Sequence, residues 1–395
     1  MQLLGYVDRL LYVDLSRRRF DRKKLGEERA KKYIGGMGLA IGLTLENTAA
    51  GVDAFSPENI LAVATGPLGG TIAPTAANGH AFAAKSPQTG CIGESKVRGH
   101  FGTELKRSGL DALIFMGKAE KPVYLFIDDG SPKLVDASPL WGKSPEETEK
   151  IVRRDHDDPY IRVAAIGIAG ERLTRIASIM SDSSRVAGRT GLGAVMGSKN
   201  LKAIAVRGNK NISVADPEEF IRFCEVLHER AKGPTTEKYR VLGTAGNLSL
   251  LNKMGALPVR NFAGSVFEGA SNVNGEYLNK HYVTDVIACA GCPMGCEHLS
   301  VVREGNYKGV FTRTEFGPLW SFGPHCDIDR LDAVIEAICL SNHYGIDAVS
   351  AGNVIGFAME CYERGLLTRE ETGGLELKFG DHEAMLNLLH KIGKR

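Results

Sequence analysis

Gly208-Asn209-Lys210-Asn211-Ile212-Ser213-Val214-Ala215-Asp216-Pro217-Glu218-Glu219 separates two stretches of different texture. Asp216 is suited to cap a helix, Pro217 to open it, and Glu219 to close a capping box. Phe220, Phe223, Cys224, Leu227 and Ala231 then recur at helical spacing until Gly233-Pro234 stops the segment. Upstream, residues 10–15, 60–65, 112–116, 162–166 and 203–206 are short β-type runs between glycines and prolines. Val123 to Ile127, then Asp128-Asp129-Gly130, then Lys133-Leu134-Val135 spell a hairpin, and a helix is expected near residues 145–153. Downstream, Leu331, Val334, Ile335 and Ile338 make one helical face and residues 351–364 a second helix. Thr368 with Glu371 offers a capping box for a short third helix, and Asp381 caps the last. The fold class read from this is α+β over residues 1–210 followed by a mainly α-helical domain over residues 211–395.

Lys+Arg 49 against Asp+Glu 47 leaves a net charge of +2 in 395 residues, so nothing electrostatic argues for nucleic acid or an anionic membrane surface as partner. No apolar run approaches the roughly 20 residues that span a bilayer, and charge interrupts the N-terminus before a signal core develops, so a cytoplasmic protein is expected.

Of eight cysteines, three cluster in Cys289-Ala290-Gly291-Cys292-Pro293-Met294-Gly295-Cys296. Three thiolates on one glycine-bearing loop point to an iron-sulfur cluster or a zinc ion. The Cys-x2-Cys-x3-Cys spacing matches neither a bacterial ferredoxin loop nor paired zinc knuckles. Cluster is the favoured reading, with zinc completed by His298, or by Cys326 with His325, as the alternative. Cys224, Cys339 and Cys361 fall in helical patterns and are expected to be buried small hydrophobes.

Residues 185–200, Arg185-Val186-Ala187-Gly188-Arg189-Thr190-Gly191-Leu192-Gly193 through Lys199-Asn200, combine glycines with cations, as loops that bind phosphate do. The alternative is a glycine-rich turn packing a helix onto a strand. Residues 85–102, with Lys96 and Arg98, are again glycine-rich and basic, and either line the same anion or form a surface loop. Asn342-His343-Tyr344-Gly345-Ile346-Asp347 closes one helix and opens another, with Gly345 at C′ and Asp347 at the N-cap, and leaves a ligand-binding role open.

Taken in order, Gly35-Gly36-Met37-Gly38, Ser56-Pro57-Glu58-Asn59, Ala73-Pro74-Thr75, Lys85-Ser86-Pro87, Phe101-Gly102-Thr103-Glu104, the 185–200 loop and the cysteine triplet resemble the tungsten-containing aldehyde:ferredoxin oxidoreductase family. The resemblance implies an α+β N-terminal domain whose β-sheets form a base for a bis-pterin cofactor carrying tungsten or molybdenum, then helical domains that cover it. Cys289, Cys292 and Cys296 would hold a [4Fe-4S] cluster. The family's fourth cysteine lies in a downstream Asp-x-x-Gly-Leu-Cys motif. The chain is therefore expected to be truncated before the third domain, or to be a split-gene product with a separate chain carrying the remainder.

By position, Arg185, Val186, Gly188 and Arg189 would meet the pterin phosphates, Val186 through its carbonyl on a bridging Mg2+. Lys96, Arg98, Asn342, Ile346 and Asp347 fall at further pterin contacts. An arginine expected after Ala73-Pro74-Thr75 is replaced by Ala76-Ala77-Asn78-Gly79-His80, and Arg98 is the candidate substitute. An acid some members place beside the metal aligns with Gly317, leaving Glu315 as the nearest catalytic candidate. Glu336 matches an iron-binding glutamate whose histidine partner aligns with Leu386, so no such iron is expected. The resemblance implies an enzyme oxidising an aldehyde to a carboxylic acid and passing electrons through the cluster to ferredoxin. The alternatives are a reductase or electron-transfer subunit on another substrate, and a degenerate assembly subunit or zinc-binding protein.

Overall fold

The apolar runs of the first half become strands because cover on both faces lets consecutive residues be buried. A computed structural model describes residues 3–394. Its contacts divide the chain into one unit of Met1–Ala231 with Cys289–Pro293 and a second of Lys232–Ala288 with Met294–Arg395.

In the first unit, β1 (Leu10–Asp14), β2 (Arg19–Lys23), β3 (Leu61–Thr65), β4 (His80–Lys85), β5 (Ile92–Val97) and β6 (Ala112–Met116) form a sheet in the order β2-β1-β6-β3-β4-β5. A second sheet runs β11-β10-β9-β12-β7-β8, from β7 (Val123–Asp128), β8 (Ser131–Asp136), β9 (Arg162–Ala165), β10 (Ile179–Ser181), β11 (Arg185–Ala187) and β12 (Leu201–Arg207). Pairing is antiparallel except for β1 with β6 and β7 with β12.

Leu11, Val13, Val63 and Phe115 of one sheet share a core with Leu125, Ile127, Ile204 and Val206 of the other. The alternate residues Leu10, Tyr12, Ala62 and Ile114 pack on Leu39, Ala40 and Leu43 of the helix Gly36–Asn47. Tyr124, Val163 and Ala205 pack with Val152 of the helix Pro145–Asp155, whose capping box at Ser144 and Glu147 is formed. The result is helix, sheet, sheet, helix, and the period of two is hidden in sequence because both faces are apolar. The helix Pro217–Ala231 belongs to this unit, and the contact division falls after residue 231.

The second unit holds helices and one antiparallel sheet, β13 (Val283–Ile287), β14 (Glu297–Val301) and β15 (Phe311–Thr314). Gly345, at φ 72, ends the helix Leu331–Tyr344, and Asp347 caps the helix Ala348–Glu363 by accepting from Ser350 N at 2.9 Å. The box at Thr368 and Glu371 forms, with bonds of 2.9 and 3.2 Å, yet residues 369–373 are turns and no helix forms there. Gly373 and Gly374, both at positive φ, end the segment before a second turn can propagate. Cys224 is buried, but Cys339 and Cys361 are only partly so. Among the described residues no helix is long and apolar enough to cross a membrane.

Candidate functional site

Strand alternation puts Lys96, on β5, and Arg98, just beyond it, on the same exposed side. The Ser95 hydroxyl, facing the other way, donates to Gly188 O at 2.5 Å, and Thr190 Oγ1 donates to Glu94 O at 3.3 Å. Ser86 Oγ donates to Thr190 O at 2.7 Å. The two basic, glycine-rich segments of the sequence are thus tied edge to edge. Arg185 is buried, Val186 and Gly188 are partly buried, and Arg189 is exposed. Arg189 holds φ 69, Asp182 φ 48 and Ser183 φ 63. Left-handed backbone at non-glycine residues costs on the order of 1–3 kcal/mol each and gathers where a loop is held for a purpose.

Asp182 organises the junction. Its Oδ2 accepts from His100 N at 2.6 Å and Phe101 N at 3.2 Å, at the start of the helix Phe101–Arg107. Gly99 O accepts from Ala290 N at 3.1 Å, and Asn78 Nδ2 donates to Ala290 O at 2.8 Å, so the first part of the cysteine loop is strapped to this unit at both polar groups of Ala290. Arg98 reaches Thr75 O at 3.0 Å. Gly99 sits at φ 139, where an added Cβ would stand 2.3 Å from Asp182 Oδ2. Gly99→Ala should therefore cost at least about 2 kcal/mol, read as a lowered denaturant midpoint at constant slope, since both the backbone and the carboxylate must move.

The Cys289 thiol is buried, and burial pushes its pKa up. The Arg185 guanidinium, hydrogen-bonded to that sulfur, and the charge of Arg98 pull the other way, while Cys292 adds to the rise. Gly291 at φ 66 and Gly295 at φ 54 supply the left-handed turns that a ligand loop of three cysteines needs. Among the described residues no three His, Cys, Asp or Glu side chains are gathered so as to hold a metal ion.

In the second unit, partly buried Cys296 immediately precedes β14. Asn342 Nδ2 donates to Thr312 Oγ1 at 3.0 Å, Ile346 is fully buried, and Asp347 serves as the N-cap described above. Glu315 lies 3.7 Å from Arg313, which also bonds Glu297 Oε1 at 2.7 Å. Cys326, offered above as a zinc ligand, is a fully buried thiol directed at Ser321 O (3.3 Å) and Gly352 O (3.7 Å), its pKa pushed far up by burial. His325 packs against Phe262 and Trp320 at centroid distances of 5.2 and 5.0 Å. Burial raises the Glu336 carboxyl pKa.

Sequence reasoning did not single out Asp182 or give Asn78 and His80 roles. Their partners are remote in the chain, and only the departure at residues 76–80 marked the region. His80 is fully buried between Phe82 and Phe101, with neither ring nitrogen hydrogen-bonded. Burial depresses its pKa to about 4, with Asp182 opposing. The unfolded imidazole titrates near 6.5. Between those values the unfolded chain binds more protons, so stability is complete above pH 6.5 and falls as pH drops toward 4. His80→Leu should flatten that decline in equilibrium unfolding across pH 4–7, by at most about 3 kcal/mol. His325, also held down to about 4 by burial, adds to the same decline, as do His298 and His390, whose pKa values burial lowers.

With this geometry, an edge of basic strands and a cysteine loop strapped beside it, the chain compares as follows. It matches the family models for the aldehyde ferredoxin oxidoreductase N-terminal domain over residues 10–208 and for domains 2 and 3 over residues 224–395. The chain belongs to the aldehyde ferredoxin oxidoreductase family. Among its relatives, the tungsten-containing aldehyde ferredoxin oxidoreductase of Pyrococcus abyssi is 40% identical over 402 residues, covering 100% of this chain and 65% of that protein. The aliphatic sulfonate oxidoreductase WOR-like subunit of Pyrococcus furiosus is 32% identical over 99% of this chain and 64% of its own length. The chain thus spans under two thirds of the curated relatives it matches. Among solved structures, the active site complex BamBC of benzoyl coenzyme A reductase, in complex with 1,5-dienoyl-CoA, superposes with a TM-score of 0.86 at 30% identity, covering 99% of this chain and 61% of that one.

Proposed function

We propose that this chain is the pterin- and cluster-binding part of a cytoplasmic tungsten oxidoreductase that converts an aldehyde to a carboxylic acid and delivers the electrons singly to ferredoxin. The observation that carries the reading is the contact of Arg185, on the basic phosphate-type loop, with the Cys289 sulfur of the ligand loop.

The donor types are those the family's groups would take, although among the described residues the three thiols are not gathered around one point. Cys289, Cys292 and Cys296 offer three soft thiolates for a [4Fe-4S] cluster, and Gly291 and Gly295 let the loop close on it. Arg185 and Arg189 supply guanidinium forks for pterin phosphates, Gly188 and Val186 present backbone, and Val186 O is the acceptor for Mg2+. Lys96 and Arg98 add charge on the adjoining edge, where Arg98 takes the place of the arginine absent from residues 76–80. Asn342, Ile346 and Asp347 would be further pterin contacts, as the family resemblance implies. The bound metal would supply the two-electron change at the carbonyl carbon. The chain's residues hold phosphate, fix the ligand loop through Ala290, and keep the Cys289 environment dry and cationic.

A second reading, a reductase working as a subunit of a larger complex, is favoured by the 30% identity to the benzoyl coenzyme A reductase complex. The test is metal analysis of the protein isolated anaerobically with its native partners. About one tungsten and about four irons per chain, with aldehyde-dependent ferredoxin reduction, are expected. Zinc alone would overturn the cluster assignment, and metal-replete protein inert toward aldehydes but active on an acyl acceptor would select the reductase.

A further inference from the structure

The basic, glycine-rich segments described above lie at β5 and β11, one outer edge of each sheet of the first unit. At the opposite edges, where β2 pairs with β1 and β8 with β7, the unit holds a separate cavity of about 400 Å3. Arg9, just before β1, Arg22 of β2 and Lys210, beyond β12, all line it. Asp129, in the turn between β7 and β8, is the one carboxylate of that lining among the described residues. Its Oδ1 already accepts from Asn209 N at 2.8 Å. Among the described residues none of the three cations pairs with a carboxylate. The chain as a whole is nearly balanced, at +2 in 395 residues, so this excess is local.

Lys210 is fixed in place. Its Nζ donates to Asp129 O at 2.5 Å and to Ser108 O at 3.2 Å, which leaves one of three N–H donors. Gly109, at φ 92, and Gly130, at φ 88, make room for it, because a Cβ on either would stand 2.8 or 3.2 Å from that nitrogen. Arg22 Nη2 donates to Gly130 O at 2.8 Å and keeps four further N–H donors. Arg9 is exposed at the rim. Stapling the turns together accounts for the carbonyl contacts of Lys210 and Arg22. It accounts neither for Arg9 nor for gathering three mutually repelling charges around one cavity.

We propose that this cavity binds a phosphoryl group, as inorganic phosphate or as the end of a small phosphomonoester. Two guanidinium forks and one held ammonium suit a dianion that presents three or more acceptor oxygens. No aromatic ring lines the cavity among the described residues, and Leu110 is its one large apolar residue, so nothing there stacks a nucleobase. The ligand class is therefore a small phosphate compound. The site stands apart from the cofactor reading, because Arg185 and Arg189 lie at the other edge of the second sheet.

Calorimetric titration of the protein with inorganic phosphate and, separately, with glycerol phosphate tests this at constant low salt. Saturable binding of one equivalent is expected, and the probe held more tightly identifies the free ion or the ester as the ligand. Arg22→Gln should weaken binding by about tenfold, and Arg9→Gln, at the exposed rim, by about threefold. Asp129→Asn should tighten it by about threefold, because it removes the one opposing charge. Asparagine keeps the oxygen that accepts from Asn209 N and tolerates the φ of 44 at that position. A residue with a purely structural role would not raise affinity when neutralised. Melting temperatures within a degree or so of wild type in Arg9→Gln and Asp129→Asn keep the comparison free of misfolding. No saturable binding of either probe would overturn the proposal. So would binding that Arg189→Gln abolishes and Arg22→Gln leaves at the wild-type level, since the probe would then be seated on the cofactor-type loop.

Discussion

Cys289→Ser, Cys292→Ser and Cys296→Ser each empty the iron site, taking iron from about four per chain to below one and abolishing the cluster's electron paramagnetic resonance signal after reduction. The expectation follows from ligand chemistry. A serine oxygen is a hard, weakly acidic donor and replaces a soft thiolate poorly, so a loop with three cysteines cannot lose one and still hold a cube. Cys361→Ser is the control, because Cys361 is a partly buried cysteine of the helix Ala348–Glu363, far in sequence from the loop. It should keep its full iron. The loop change should leave the fold intact, since Ala290, the residue strapped to Gly99 and Asn78, is untouched in all three variants. Iron by mass spectrometry and the resonance spectrum are the readouts. Full iron in Cys292→Ser would assign the metal elsewhere, and zinc displacing iron in the wild type would revive the zinc alternative.

What the sequence could and could not reveal divides along the range of the interactions. Short-range signals were readable: Asp216 accepting from Glu219 N, Gly345 as C′ and Asp347 as N-cap all act within four residues. The strands were readable as apolar runs, but not their order, because the parallel pairing of β1 with β6 joins segments about a hundred residues apart. The Asp182 contact with His100 spans 82 residues and the Asn78 contact with Ala290 spans 212, and nothing local marks either. Thr368 shows the opposite failure. A sound cap was present, but the residues after it could not propagate a helix, and a cap alone does not nucleate one. The basic segments 85–102 and 185–200 were each ambiguous between anion site and turn when read singly. Their union through Ser95, Thr190 and Ser86 is the property of the fold that composition could not give.

Arg185→Gln should separate folding from loading. The Arg185 guanidinium is only 8% exposed and lies against the Cys289 thiol, which burial keeps protonated in the absence of a cationic metal centre. The attraction between the guanidinium and that sulfur strengthens once the sulfur is a thiolate ligand or a phosphate arrives. Glutamine keeps a donor and most of the volume while removing the charge. The metal-free variant should therefore change in stability by no more than about 2 kcal/mol in equilibrium unfolding. Its retention of tungsten and iron during gel filtration should instead fall by about 10- to 100-fold, the range seen when a hydrogen-bond partner of a metal ligand is removed. Arg185→Lys should restore only part of the loading, because an ammonium cannot offer a planar fork to sulfur and phosphate together. A small change in stability beside a large loss of metal is what a cofactor-facing arginine requires. A variant that lost stability and kept both metals would make Arg185 a structural residue, and the link between the basic loop and the cysteine loop would then lie with Asp182 and Gly99 alone.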